Sequence, residues 1–228
     1  MPKKIIQKIK SSSLAWKYSG LTYRWSVLAT RGKYLTFDEY LENSIEKMKS
    51  LLIDFQGKSL LELGCGIGGN LLCISTIIKS GVGLDINNLY IKRAKKFQKK
   101  MNLHNLDFIC YDGRNISLQN KFDIIFSLNV FERIIKRNAQ NLISQLSKLL
   151  AYRGTMVLFF LGSGARSSGF AERLGVKAYT FWELNDIENL FLEDDLRALK
   201  IDIKKIPIMP GETNQNAWLV YARFDNIV

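Results

Sequence analysis

The stretch LLELGCGIGGN, residues 60–70, decides how the rest of this chain is read. An apolar run carrying one acid, Glu62, breaks into a turn that holds Gly64, Gly66, Gly68 and Gly69. A strand that ends in a glycine-rich turn and opens a helix lets backbone approach a ligand closely, because glycine lacks a Cβ. Gly64, Gly66 and Gly69 also satisfy the G-x-G-x-x-G spacing of dinucleotide sites. The loop alone therefore fits NAD and other adenosine-bearing ligands equally well.

Outward from the loop, short apolar runs alternate with longer amphipathic ones. The pattern predicts strands near 58–63, 81–85, 106–110, 122–128 and 154–160, and helices near 36–53, 69–79, 88–101, 136–150 and 181–192. Such alternation means βαβ units and a parallel sheet covered on both faces. After residue 180 two strand-like runs, LKIDIKKIPI and AWLVYARF, flank a Pro/Gly/Asn loop. Consecutive strands joined in this way are most simply antiparallel, so the sheet is expected to carry one reversed strand near its edge.

Two acids end predicted strands. Asp85, in GVGLDIN, lies 21 residues after Gly64, and Asp112 closes FICYDG. A carboxylate in the first position accepts hydrogen bonds from ribose hydroxyls. Aspartate is also favoured in turns for local reasons, but two strand-end acids behind a glycine loop point to a ligand. Glu62, inside an otherwise apolar strand, and Asp112 weigh against NAD. The single histidine, His104, sits in the polar linker NLHN and reads as a solvated loop residue.

With 228 residues and 47% apolar content, the chain is long enough for one α/β unit with a substantial core. Cys65, Cys73 and Cys110 form no C-x-x-C pair, which argues against a disulfide framework or structural zinc and suits a reducing cytoplasm. Cys65 reads as a small spacer. No apolar run approaches the roughly 18 residues of a membrane span, and the basic start lacks the apolar core of an export signal. Cytoplasmic location is the expectation. The net charge of +12 is local: residues 1–33 hold eight Lys/Arg and no acid, and KRAKKFQKK at 92–100 holds six more. Removing these 14 leaves 19 basic against 21 acidic residues. The second cluster reads as the solvated face of a helix. The first is interleaved with Trp16, Tyr18, Tyr23, Trp25 and Tyr34.

In order and spacing, LLELGCGIGGN, GVGLDIN, FICYDG, FDIIFSLNVFERI and LLAYRGTMVLFF resemble the motifs of class I S-adenosylmethionine-dependent methyltransferases over about residues 36–224. The resemblance implies a Rossmann-like α/β fold with a seven-stranded, mostly parallel sheet, a reversed C-terminal strand and helices on both faces. It implies S-adenosylmethionine as cofactor. Gly64, Cys65 and Gly66 would then line its methionine part, with Glu62 beside them. Asp85 would hold the ribose, Ile86 would pack on the adenine, and Asp112, with Gly113, would meet the adenine amine. Asn129 would lie near the methyl group. Residues 36–228 would form the methyltransferase domain. The aromatics interleaved with the basic residues of 1–35 read as a cap closing over donor and acceptor, from which Arg24 or Arg31 reaches the cofactor's carboxylate, with a solvated basic tail as the alternative.

The acceptor is less determined. Methyl transfer from a sulfonium needs positioning above all, and a base only where the acceptor arrives protonated with a high pKa. The resemblance assigns no catalytic residue; Glu132 and Arg133 are the candidates. Many small-molecule members carry Leu-Glu-His where this chain has Phe131-Glu132-Arg133. A guanidinium cannot serve as base, but it binds an anionic acceptor, or else pairs with a neighbouring carboxylate. SLNVFE is not the motif that binds planar exocyclic amines, and no Pro-Cys follows this strand for cytosine C5 chemistry. The loop at 162–179, with Arg166 and Arg173, is a lid candidate. The leading expectation is transfer to O or N of a small molecule, without a metal. RNA methylation through the basic segment is the alternative, followed by a non-catalytic binding module, and the amphipathic start also suits peripheral contact with an anionic membrane. Oligomeric state is not legible.

Overall fold

The computed structural model describes residues 37–167, 179–192, 196–207 and 215–224. The proposed cap with Arg31, and Arg173 of the candidate lid, lie outside these. Helix α1 spans Phe37–Ser50 and precedes β1, Ser59–Leu63. Then α2 (Gly69–Ile74), β2 (Ser80–Asp85), α3 (Asn88–Lys100) and β3 (Leu106–Cys110) complete one half. The other half runs β4 (Phe122–Ser127), a 3-10 turn at Phe131–Arg133, α4 (Lys136–Lys148) and β5 (Leu150–Leu161). It ends with α5 (Gly164–Ser167), α6 (Leu184–Asn189), β6 (Leu199–Ile206) and β7 (Ala217–Phe224).

The seven strands lie in the order β3-β2-β1-β4-β5-β7-β6. Strands β1 to β5 are mutually parallel, and β7 runs antiparallel to both β5 and β6. The reversed strand predicted near the edge is thus second from it, and β6 forms the edge. Lys200, Lys204 and Lys205 are exposed on β6, a placement that discourages edge-to-edge pairing.

Each face of the sheet has its own core. Leu41, Ile45 and Met48 of α1, with Leu51 just beyond it, pack with Leu71 and Leu72 of α2 and Phe97 of α3 over one face. Ala139, Leu142, Ile143 and Leu146 of α4 and Ile187 of α6 cover the other. The hydroxyl of Tyr221 donates to the Leu51 carbonyl (3.0 Å), which fixes the end of α1 against β7.

Three elements differ in length from expectation. Helix α2 stops at Ile74 because Asn105 Nδ2 takes the carbonyls of Ser75 (2.7 Å) and Ile78 (3.2 Å), and the Gly57 amide takes that of Ile77. Strand β5 begins four residues early: its register against β4 shifts between Phe122 and Ile124, and Arg153 turns left-handed (φ 59), as at a bulge. The last predicted helix is only α6, since Trp182 leaves the helix to bridge Gly162. Among the described residues, no helix is long and apolar enough to cross a membrane.

Candidate functional site

The parallel strands β1, β2 and β4 end together, and the residues singled out in the sequence gather at that carboxyl edge. Leu84 O receives the amides of both Gly64 (2.7 Å) and Cys65 (2.9 Å), which starts the loop on β2. Gly64 has φ 76, and a Cβ there would lie 2.1 Å from Val130 Cγ2. The loop after β4 thus packs directly on the glycine turn, where any side chain would be strained and would force Val130 to shift. Gly66 differs: nothing lies within 4 Å of its Cβ position, so its backbone faces open space a ligand can enter.

Asp85 links the two motifs. Its Oδ2 accepts from the Gly66 amide (2.9 Å) and its Oδ1 from the Asn87 amide (2.8 Å). Each carboxylate oxygen keeps a further lone pair, so both can also receive hydroxyls. Ile86 follows and is 66% exposed, an apolar side chain at a sheet edge that suits a flat ring. Its Cγ2 is 3.3 Å from where a Gly113 Cβ would stand, so Gly113 keeps that surface open. Asp112 is exposed and accepts from the amides of Arg114 (2.8 Å) and Asn115 (3.0 Å) through Oδ1. Those bonds hold its carboxyl below the usual range, so it closes a turn and stays ionised.

Cys65 is buried, with its Sγ 2.8 Å from the Cβ position of Gly83. Burial, and then the nearby Glu62 and Asp85, push its thiol well above the ordinary value, so it acts as a spacer and not as a thiolate. His104 is exposed in its linker.

Glu62 is the unusual member. It is 1% exposed within β1; Asn70 Nδ2 donates to its Oε1 at 2.6 Å, while its Oε2 has no partner. Desolvation pushes its carboxyl up to about 7 against the opposing pull of Asn70 and Lys47. Glu132 is built similarly: 5% exposed, with an unpartnered Oε2 and a carboxyl pushed up to about 7 by burial. Its backbone is clamped from both sides, since Trp182 Nε1 donates to Phe131 O (3.1 Å) and the Thr180 amide to Glu132 O (2.8 Å).

The charge of Lys47, on α1, acts on both of these acids. Part of its surface reaches solvent, yet desolvation is the largest influence on its ammonium and lowers its pKa, while Glu62 and Glu132 both raise it. Sequence reasoning missed Lys47 and Asn70. The signal for Lys47 was a cation one residue from Met48 on the apolar stripe of α1; Asn70 simply closes the opening stretch. The charge of Arg133 also acts on Glu132, and its guanidinium lies over the Tyr179 ring (5.2 Å) and donates to the Tyr179 hydroxyl (3.3 Å). Asn129 is exposed and left-handed (φ 63), beside the glycine turn. Among the described residues, no group of three or more His, Cys, Asp or Glu is placed to hold a metal.

These features fit an adenosine-bearing cationic ligand: an open glycine backbone, a bridging aspartate, an exposed isoleucine, and buried carboxylate oxygens without donors. Comparison with known proteins agrees. Residues 60–154 match the family model described as a methyltransferase domain. A protein of Haemophilus influenzae without assigned function is 32% identical over 124 residues, 51% of this chain and 48% of that one, so the chain spans about half the length of this curated relative. A ubiquinone biosynthesis O-methyltransferase of Pelagibacter ubique is 27% identical over 78% of this chain and 77% of its own. The magnesium protoporphyrin IX methyltransferase of Synechocystis, solved with bound S-adenosylhomocysteine, has the same fold: TM-score 0.63 over 96% of this chain and 100% of that one, at 16% identity.

Proposed function

We propose that this chain, whose residues 60–154 match a methyltransferase-domain model, is a class I S-adenosylmethionine-dependent methyltransferase that moves a methyl group from S-adenosylmethionine to an oxygen or nitrogen of a small-molecule acceptor. The carrying observation is the unpartnered Oε2 of buried Glu62 beside the open backbone of Gly66. A buried acceptor atom without a donor is costly, and a ligand ammonium satisfies it.

When bound, the sulfonium supplies an electrophilic methyl and a neutral leaving group. The residues bind and orient it. Glu62 receives the ammonium, Asp85 the ribose hydroxyls, and Ile86 with Gly113 forms the seat of the adenine, whose amine Asp112 accepts. Gly64, Cys65 and Gly66 contribute backbone to the methionine part, and Asn129 stands at the acceptor side. In-line placement of donor and acceptor supplies much of the rate. Arg133, over Tyr179, is the group to hold an anionic acceptor, and Glu132 is the candidate to take a proton from a hydroxyl. Residues 1–35 close the site as a cap in this proposal, with Arg31 on the donor carboxylate. The named activity of the Pelagibacter relative supports an oxygen acceptor of small size.

Calorimetry tests the donor: micromolar affinity for S-adenosylmethionine or S-adenosylhomocysteine, and far weaker affinity for NAD, is the expected result. Tighter binding of NAD overturns the reading. A chain beginning at Lys33 is expected to bind donor but lose nearly all turnover; full turnover removes the cap. The exposed cations of α3, Lys92, Lys95, Lys96, Lys99 and Lys100, favour a nucleic-acid acceptor as the second reading. Acceptor binding that weakens steeply with salt would select it.

A further inference from the structure

Arg153 stands near the start of β5, Lys200 at the start of β6 and Arg223 near the end of β7. Because β5 and β6 both run antiparallel to β7, all three lie at the end of the sheet away from the glycine loop. They line one cavity of about 860 Å³.

Lys200 sits directly across from Arg223 in the β6–β7 register, and Thr155, just after Arg153, faces Arg223 from β5. Like charges directly opposite on a sheet face destabilise it. Arg153 holds a left-handed backbone (φ 59), which is strained for a residue with a side chain. Its guanidinium rests on the exposed Tyr152 ring at 5.3 Å, a contact through its face that leaves N–H donors at its edge. Lysines on an edge strand discourage strand pairing, but that does not account for Arg223 on an inner strand or Arg153 at the bulge. The acid in the lining is Asp202, which Lys204 pairs at 3.5 Å while also lying over the Tyr221 ring. Tyr221 lines the cavity too, with its hydroxyl committed to Leu51 O. Among the described residues no ion pair joins Arg153, Lys200 or Arg223 to an acid; Asp225, next after Phe224, lies outside them.

Three cations converging on one cavity suit a compact group with about two negative charges and several acceptor oxygens, which describes a phosphate monoester above about pH 6. Ile201 and Phe224 line the same cavity and offer apolar surface to the rest of such a molecule. The volume is that of a small-ligand pocket. The exposed lysines of α3 differ, since they follow one helix face as a stripe and enclose nothing.

We propose that this cavity binds a phosphate-bearing small molecule, with the phosphate on Arg153, Lys200 and Arg223 and the apolar part on Ile201 and Phe224. The run of β5 from Thr155 to Leu161 separates it from the carboxyl edge by roughly 20 Å, so the bound molecule is not the methyl acceptor. The site is independent of the donor assignment. Its cations come from three strands, so occupancy stabilises the fold by mass action.

The test is calorimetry and thermal melting of the full chain at constant ionic strength and about pH 8. The probes are inorganic phosphate, phenyl phosphate and a uridine oligonucleotide. Phenyl phosphate is expected to bind more tightly than inorganic phosphate and to raise the melting temperature. Lys200→Gln and Arg223→Gln are each expected to weaken it about tenfold, whereas Lys200→Arg retains it. Arg153→Gly, unstrained at φ 59, is expected to weaken it while the ligand-free chain melts no lower. Lys95→Gln combined with Lys96→Gln removes charge on α3 instead and leaves the affinity unchanged. If that pair weakens phenyl phosphate as much as Lys200→Gln does, general charge attracts the probe and the proposal fails. An unaltered chain that binds neither phosphate overturns it. So does an oligonucleotide bound through Lys200 and Arg223 far more tightly than phenyl phosphate, because the surface is then a nucleic-acid track.

Discussion

Along the carboxyl edge of the sheet, the half built by β1, β2 and β3 works with backbone and strand-end acids. The half built by β4 and the turn at Phe131–Arg133 works with buried side chains gathered from distant parts of the chain. In the first half each group is placed by its neighbours in sequence: Gly66 and Asp85 meet because β1 and β2 pair in register from Ser59↔Ser80 to Leu63↔Leu84. In the second, Glu132 depends on Trp182, Thr180 and Lys47, each more than 45 residues away. A site made of local turns tolerates distant change, whereas a site made of packed side chains fails with its supports.

The largest expected effect breaks the second half. Trp182 is fully buried, edge-on to Phe160 at 5.1 Å between ring centroids, and holds the Phe131 carbonyl. Trp182→Ala is expected to cost about 3–5 kcal/mol of stability, read by denaturant unfolding. A loss below 1 kcal/mol would show that the turn does not need it.

Next comes the glycine turn. Gly64→Val puts a branched side chain at φ 76 against Val130, and is expected to weaken S-adenosylhomocysteine about a hundredfold, ~2.7 kcal/mol, with folding largely kept. If instead the variant unfolds, the first half is no more local than the second. Asp85→Ala removes a carboxylate that also ties Gly66 to β2. Loss of one to two orders of magnitude in donor affinity, about 1.5–3 kcal/mol, is expected by calorimetry.

The smallest effect is in pH. Glu62 and Glu132 hold protons in the folded chain up to about 7, against an ordinary value of 4.5. Between those values the folded state binds more protons than the unfolded one, so stability of the ligand-free protein falls as pH rises through this window. Lys47, whose pKa is lowered by burial, acts in the opposite sense as pH rises toward its ordinary value of 10.5. Donor affinity moves the other way, rising toward pH 8 as the acids ionise. Thermal melts at pH 5 and pH 7.5, without and with donor, check both signs; a melting temperature that rises with pH in the ligand-free chain contradicts the burial of these acids.

Much of the first half was legible in advance. The spacing of Gly64, Gly66, Asp85 and Asp112, and the strand periodicity around them, are set by short-range rules: glycine where backbone must approach, acids at strand ends, apolar runs between. The reversed strand was legible for the same reason, since a Pro/Gly/Asn loop between two apolar runs is a local signal. Helix and strand lengths were not, because the end of α2 depends on Asn105 and the start of β5 on a bulge against β4.

Sequence alone determined the class of fold, the glycine loop and the two strand-end acids, because turn chemistry and side-chain periodicity act over a few residues. It also marked Glu62 as out of place in an apolar strand and Arg133, beside Glu132, as a departure from the family pattern. Only the tertiary structure decided that Glu62 and Glu132, 70 residues apart, lose their water together and share Lys47 from α1. Desolvation and charge pairing depend on what surrounds a group in space, and that is fixed when α1 closes over one face of the sheet and Trp182 clamps the turn beyond β4.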